Sequence, residues 1–309
     1  MDIKIDHLSK HYGPQRAVDD ISFTVKTGEI LGFLGPNGAG KTTTMKMITS
    51  FMAADTGDIL IGGTSVQEAP HVVRKNIGYL PEHNPLYLDM PVIDYLHFCA
   101  ALQGVPNRNI PERIREMVRK CGLDQEKHKK IGELSKGYRQ RVGLAQSMIH
   151  DPEILVLDEP TTGLDPNQIV EIRKLIRELG QAKTVILSTH ILPEVEATCD
   201  RILIINQGKI VADGTADTLR QQAQGQELVK VKLEDAPSEE ALVAFQALPS
   251  VAHASYLNGE ANRFELQCHP NQSAARDIFQ LCVDQRWVLT ELTPVETKLE
   301  DIFRDLTMN

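Results

Sequence analysis

One short stretch restricts the fold of this chain more than any other: Gly35-Pro36-Asn37-Gly38-Ala39-Gly40-Lys41-Thr42. It matches the pattern GxxxxGK[ST], follows the apolar run Glu29-Ile30-Leu31-Gly32-Phe33-Leu34 and opens a helix, which is the context the motif requires. Glycines let consecutive backbone N–H groups turn toward one point beside a helix N-terminus, and so form an anion cradle. Lys41 adds a mobile positive charge for β- and γ-phosphates, and the Thr42 hydroxyl is a hard ligand for Mg²⁺. An apolar strand running into such a loop belongs in a buried sheet of an α/β protein.

A second acidic element completes the chemistry. Ile154-Leu155-Val156-Leu157-Asp158-Glu159 reads as a buried strand that carries Asp158 to its carboxyl end, where ligands gather in open α/β sheets. There Asp158 can hold Mg²⁺ through a water. Glu159 points elsewhere and can accept a proton from water attacking the γ-phosphate. On its own this pair reads equally well as the polar end of a strand; the Lys41 loop upstream weights it toward catalysis.

The rest of the chain divides by texture. Ile3 to Leu8 and Ile21 to Val25 alternate as strands. From about residue 88 to 150 the composition favours helix, with Pro91, Pro106 and Pro111 as starts or breaks, so a helical insertion is expected in the α/β core. Strands return at Glu153 to Leu157, Thr184 to Leu187 and Arg201 to Ile205, with a helix from Pro166 to Leu179 between the first two. The glutamine-rich run at 221–226 reads as a linker between a first domain, 1–222, and a second, 226–309. The second reads β-α-β-β-α-β, the ferredoxin-like order: strands 228–233, 251–257, 263–267 and 287–292, and helices 238–248 and 272–285. A last helix is expected to open at the capping-box pattern Thr293-Pro294-Val295-Glu296. The adjacent pair Cys268-His269 lacks further ligands and reads as structural.

Between the two halves of the phosphate site lies Leu134-Ser135-Lys136-Gly137-Tyr138-Arg139-Gln140-Arg141. It resembles the signature sequence of ABC ATPases. Thr162-Gly163-Leu164-Asp165 resembles their D-loop, Ser188-Thr189-His190 their switch histidine, and Tyr12 the aromatic that stacks on adenine. The resemblance runs in order from about Asp2 to about Leu219. It implies a P-loop NTPase core of the ABC ATPase type with ATP and Mg²⁺ as cofactors. It also implies a head-to-tail dimer in which each ATP lies between the Walker loop of one copy and the signature of the other. Tyr12, Val18, Asn37, Gly38, Ala39, Gly40, Lys41, Thr42 and Thr43 would contact the nucleotide. Ser135 and Gly137 would reach the γ-phosphate in trans, and Asp165 would couple the two sites. Thr42, Glu82 and Asp158 would hold the metal, with Glu159, His190 and Lys41 catalytic.

Two departures from the family pattern stand out. Lys136 and Tyr138 replace the glycine and the glutamine of the usual LSGGQ, and Glu82 in Gly78-Tyr79-Leu80-Pro81-Glu82 replaces the usual glutamine ligand of Mg²⁺. A glutamate there is similar to exporter-type members. Gly32 to Thr44 and the ending Leu299-Glu300-Asp301-Ile302-Phe303 resemble ATP subunits of ABC-2-type exporters. The stretch 131–143 looks most like the gliding-motility-associated subunit of that group. The resemblance therefore implies a separate membrane permease as partner, with part of the helical insertion and the Glu82 loop docking it.

Composition narrows the competing readings. Five scattered cysteines among 309 residues form no CxxC pair, which argues for reduced thiols and a cytoplasmic setting. The first residues lack the basic-then-apolar pattern of a signal peptide, and no apolar run approaches the ~18 residues that span a bilayer. The chain is accordingly expected on the inner face of the cell membrane, held there by the permease. From Gln226 onward there are 14 acidic and 7 basic residues, and before it 28 and 26, so neither part has the basic surplus of a nucleic-acid binder. The alternative is a soluble ABC ATPase acting on ribosomes or in DNA repair. The single Walker loop and the absence of a coiled-coil insertion count against it. The C-terminal domain shows no chemistry of its own and is expected to regulate or to strengthen dimer contact.

Overall fold

The computed structural model describes residues 1–223, 228–257, 260–269, 272–295 and 299–307. They form two compact units, Met1–Ala216 and Asp217–Asp305, with Leu306 and Thr307 grouped with the first.

The N-terminal unit begins with β1 (Ile3–Tyr12), β2 (Gln15–Val25) and β3 (Ile30–Leu34), then α1 (Lys41–Ile48), β4 (Thr56–Ile61), β5 (Thr64–Ser65), α2 (Pro70–Arg74) and β6 (Ile77–Leu80). Three helices follow, α3 (Val92–Leu102), α4 (Ile110–Lys120) and α5 (Lys136–Met148), where the sequence pattern places the insertion. The chain then returns to β7 (Ile154–Asp158), α6 (Pro166–Gly180), β8 (Thr184–Thr189), α7 (Leu192–Thr198), β9 (Arg201–Asn206) and β10 (Lys209–Gly214).

Two sheets result. One is antiparallel in the order β2-β1-β4-β5, and the other runs β10-β9-β3-β8-β7-β6. In the second, β9, β3, β8, β7 and β6 are parallel neighbours and β10 is an antiparallel edge. Every residue of β3, β7 and β8 is buried. Alternate side chains serve opposite faces: Leu155 and Leu157 join a core with the inserted helices, while Ile154 and Val156 join one with β1, β2 and α1. The unbroken apolar runs in the sequence are thus explained by two covered faces. Pro91 precedes α3 directly and Pro111 lies in the first turn of α4, where a missing N–H costs nothing.

Helix α8 spans Ala216–Ala223. Gln221, Gln222 and Ala223 therefore continue a helix instead of opening a linker, because glutamine and alanine are good helix formers. Residues 224–226 of the expected linker lie outside the described residues.

The C-terminal unit contains β11 (Leu228–Glu234), α9 (Ser238–Gln246), β12 (Val251–Tyr256), β13 (Arg263–Cys268), α10 (Ala275–Gln285) and β14 (Val288–Val295), followed by α11 (Leu299–Thr307). Its sheet order is β12-β13-β11-β14, antiparallel throughout, which is the ferredoxin-like arrangement. The helix expected to open at Thr293 is not there. Thr293 and Pro294 lie in β14, opposite Lys230 and Val229, and the last helix starts at Leu299. Strand β14 is an edge, so Pro294 can present its missing donor to solvent, and Thr and Val suit a strand. Glu296 lies outside the described residues. Cys268 is fully buried in this unit's core, in keeping with a structural role.

Phe245 anchors that core. It is fully buried, with ring centroids 5.2 Å from Phe264 and 6.3 Å from Trp287. Phe245→Ala should cost this unit about 3–5 kcal/mol. Trp287 is the only tryptophan in the chain, so its fluorescence in a urea titration reads this unit selectively, and its transition should move to lower urea.

Candidate active site

The parallel sheet brings four strand ends to one edge: the loop after β3, Glu82 after β6, Asp158 and Glu159 at the end of β7, and His190 after β8. The loop after β3 requires glycine. Gly40 has φ +111°, and a Cβ there would lie 2.4 Å from the Ala17 carbonyl oxygen. Gly38 likewise has φ +81°, a region few side chains tolerate. Lys41 begins α1 and is buried, and its ammonium donates to the carbonyls of Gly35 (2.8 Å) and Pro36 (3.2 Å). It also stands 3.6 Å from a Glu159 carboxylate oxygen.

Asp158 is fully buried. One carboxylate oxygen accepts a short hydrogen bond from the Ser188 hydroxyl, while Oδ2 is buried with no partner. Burial pushes its pKa above the ordinary carboxylate value; the hydroxyls of Ser188 and, nearby, Thr42 oppose this, and the charges of Glu82 and Glu159 add to it. A buried carboxylate oxygen without a donor, beside the Thr42 hydroxyl and the Glu82 carboxylate, is a donor set suited to a hard divalent cation.

Glu159 is held in a left-handed backbone conformation, φ +50°. For a non-glycine residue this costs on the order of 1–2 kcal/mol. It persists because the Glu159 N–H donates to the Ser188 carbonyl (3.0 Å) and its side chain is fixed. Both Glu159 carboxylate oxygens lie 3.0 Å from His190 Nδ1, and the Thr162 hydroxyl is 3.4 Å from Oε2. The turn places the carboxylate of Glu159 beside Lys41 and His190.

A cavity of about 540 Å³ is lined by Tyr12, Asn37, Gly38, Gly40, Lys41, Thr42, Thr43, Glu82, Glu159 and His190, together with Gln15, Ala17 and Thr162. Thr42, Glu82 and Asp158 also line an adjoining cavity of about 790 Å³. Ala39 is buried behind the loop. Val18, expected to touch the nucleotide, is instead fully buried in the apolar core, because β2 turns alternate side chains inward. Its neighbour Ala17 lines the cavity in its place.

Ser135, Gly137 and Asp165 are not brought to this cavity. Ser135 caps α5, accepting the Tyr138 N–H at 3.4 Å. Asp165 caps α6, accepting the N–H groups of Asn167 and Gln168 at 3.0 Å each. Gly137 packs so closely that a Cβ would meet the Gln168 amide oxygen at 2.3 Å. Sequence reasoning gave Ser188 no role beyond its place in the histidine motif. A serine on the strand beside the acidic pair is the signal that points to it.

Fold and site together define an ATP-hydrolysing phosphate-loop enzyme. Residues 18–162 match the family described as ABC transporter. The chain is 35% identical over 304 residues to the uncharacterized ABC transporter ATP-binding protein YxlF of Bacillus subtilis, covering 97% of this chain and 98% of that one. It is 35% identical over 243 residues to Nod factor export ATP-binding protein I of Ralstonia nicotianae, covering 78% and 76%. Among solved structures, CbiO1 of Clostridium perfringens, part of the ABC transporter complex CbiONQ, aligns with a TM-score of 0.64 at 27% identity, covering 72% of this chain and 94% of that one. The chain belongs to the family of ABC transporter ATP-binding subunits, and its activity is ATP hydrolysis.

Ser188→Ala removes the protein donor to Asp158 Oδ1. It should lower stability to urea by about 1–3 kcal/mol. Thr49→Ala, which removes a hydroxyl that donates only to backbone carbonyls of its own helix, should cost less.

Proposed function

We propose that this subunit works as a homodimer, closing head to tail around ATP and Mg²⁺, and drives a separate membrane permease, in the direction of export. The observation that carries the dimer is the division of the phosphate-binding parts. The Walker loop, Glu159 and His190 share one cavity, whereas exposed Ser135 starts α5 outside it. A second copy presenting Ser135, the Gly137 backbone and the N-terminus of α5 would supply the missing donors. Asp165, at the start of α6, would then lie at the contact between copies.

Within one copy, Tyr12 is nearly half exposed at the cavity and offers a ring face for adenine. The loop N–H groups from Asn37 to Thr43 and the Lys41 ammonium would bind the phosphates. Thr42, Asp158 and Glu82 would hold Mg²⁺, which supplies charge neutralisation for the phosphates when bound. Glu159 would accept the proton of the attacking water, and His190, bonded to it through Nδ1, would orient that water and the γ-phosphate. The strained turn at Glu159 and its bond to His190 fix the base before substrate arrives.

The 790 Å³ cavity supports docking of the permease: it runs from Thr42 and Asp158 past Glu82, His83 and Asn84 to Phe51, Arg74 and Gln103. Phe51, which lines this cavity, and Leu102, next in sequence to its lining residue Gln103, are about 70% exposed, apolar surface suited to a partner. Among the described residues no helix is long and apolar enough to cross a membrane, and this reading assigns the transport path to the partner. It places the subunit on the cytoplasmic face of the membrane. The export direction leans on the similarity to the Nod factor export protein and on Glu82.

The test is Glu159→Gln. With ATP and Mg²⁺ this variant should elute as a dimer in light-scattering chromatography, with turnover reduced by at least about 100-fold. Adding Ser135→Arg should return it to a monomer. A Glu159→Gln protein that stays monomeric with ATP, or turns over normally, contradicts the reading.

A further inference from the structure

We propose that Glu194 is a positioning residue of the ATPase reaction, a buried carboxylate that ties the loop following Glu159 to the strand end preceding His190. The inference rests on the assignment of Glu159 and His190 as catalytic.

Glu194 lies in the first turn of α7 and is only 3% exposed. One of its carboxylate oxygens, Oε2, accepts the hydroxyls of both Thr161 (2.7 Å) and Thr189 (3.0 Å). Thr161 sits two residues after Glu159 and leads into the segment Thr162 to Asp165. Thr189 is the residue before His190, and its hydroxyl also accepts the Ile191 N–H at 3.1 Å. Both threonines are buried, 3% and 0% exposed. The hydroxyls of Thr161 and Thr189 therefore meet on one oxygen, and that oxygen joins a loop to a strand end 28 residues away in sequence.

The chemistry of the cluster is unusual for a purely structural role. A buried carboxylate is costly to desolvate, and here its other oxygen, Oε1, has no partner. Apolar packing would hold α7 against the sheet at lower cost. What the carboxylate adds is direction: two charge-assisted hydrogen bonds fix where Thr161 and Thr189 stand relative to each other. Glu159 and His190, whose side chains bond at 3.0 Å, are each within two residues of those anchors. A shift of the segment Thr162 to Asp165 is thereby transmitted to the backbone entering His190. Catalytic geometry tolerates little misplacement, and about 1 Å can cost on the order of 100-fold in rate.

The test compares Glu194→Gln, Glu194→Leu, Thr161→Val and Thr189→Val in the full chain, reading kcat and the KM for ATP separately. Glutamine keeps an acceptor oxygen for both hydroxyls and should keep kcat within about threefold of wild type. Glu194→Leu should lose about 10- to 100-fold in kcat with KM for ATP little changed. Each Thr→Val variant should lose kcat, and combining either with Glu194→Leu should add nothing, as expected of one shared linkage. The threonine variants keep the test decisive should Glu194→Leu fold poorly. Normal kcat in both threonine variants, or equal losses in the glutamine and leucine variants, overturns the proposal. Glu159→Gln and His190→Ala run in parallel: if those retain turnover, the underlying assignment fails, which is a separate result.

Discussion

The structure depends on the parallel register of β3, β8 and β7. Leu34 lies opposite Thr189, and Asp158 lies opposite Ser188. Because all three strands run the same way and end at the same level, the loop bearing Lys41 emerges beside the turns bearing Glu159 and His190. Burial on both faces fixes this register, since a one-residue slip would exchange the two cores to which alternate side chains belong. The ATP site is a consequence of that alignment; no strand provides it alone.

The same alignment concentrates buried polar groups in a small volume. Lys41, Asp158, Glu159, Thr161, Ser188, Thr189 and Glu194 are all buried. Each would be a liability in isolation. Together they satisfy one another: Ser188 serves Asp158, Lys41 faces Glu159, and the two threonines serve Glu194. What is left without a partner is informative, because Asp158 Oδ2 and Glu194 Oε1 mark the places where the network is least satisfied. The first adjoins the proposed cation position. The network couples the site to the fold, so changes at its members act on activity and stability together.

Much of this was legible in the sequence. The phosphate loop, the acidic strand end, the inserted helices and the ferredoxin-like order of the second unit all follow from short motifs and strong periodicity. Other parts were not. Strand β10, whose residues alternate between half-buried and exposed, and the seven-residue α7 carry weak patterns, yet α7 holds Glu194. Val18 and Ala17 differ only in which way β2 turns them, and Thr293-Pro294 satisfied a helix-start pattern but lies on a sheet edge. Local signals fail where the deciding partner is distant in sequence: Ser188 as the donor to Asp158, and Val229 as the strand partner of Pro294.

The central claim is that Lys41, aligned with the β7 and β8 turns, binds the phosphates of ATP. Isothermal titration of ATP with Mg²⁺ into wild type and Lys41→Met tests it most directly. The account predicts that wild type binds and that Lys41→Met is weaker by at least about tenfold, corresponding to loss of one charge-assisted contact of roughly 1.5–3 kcal/mol. Equal affinity in the two proteins would contradict it.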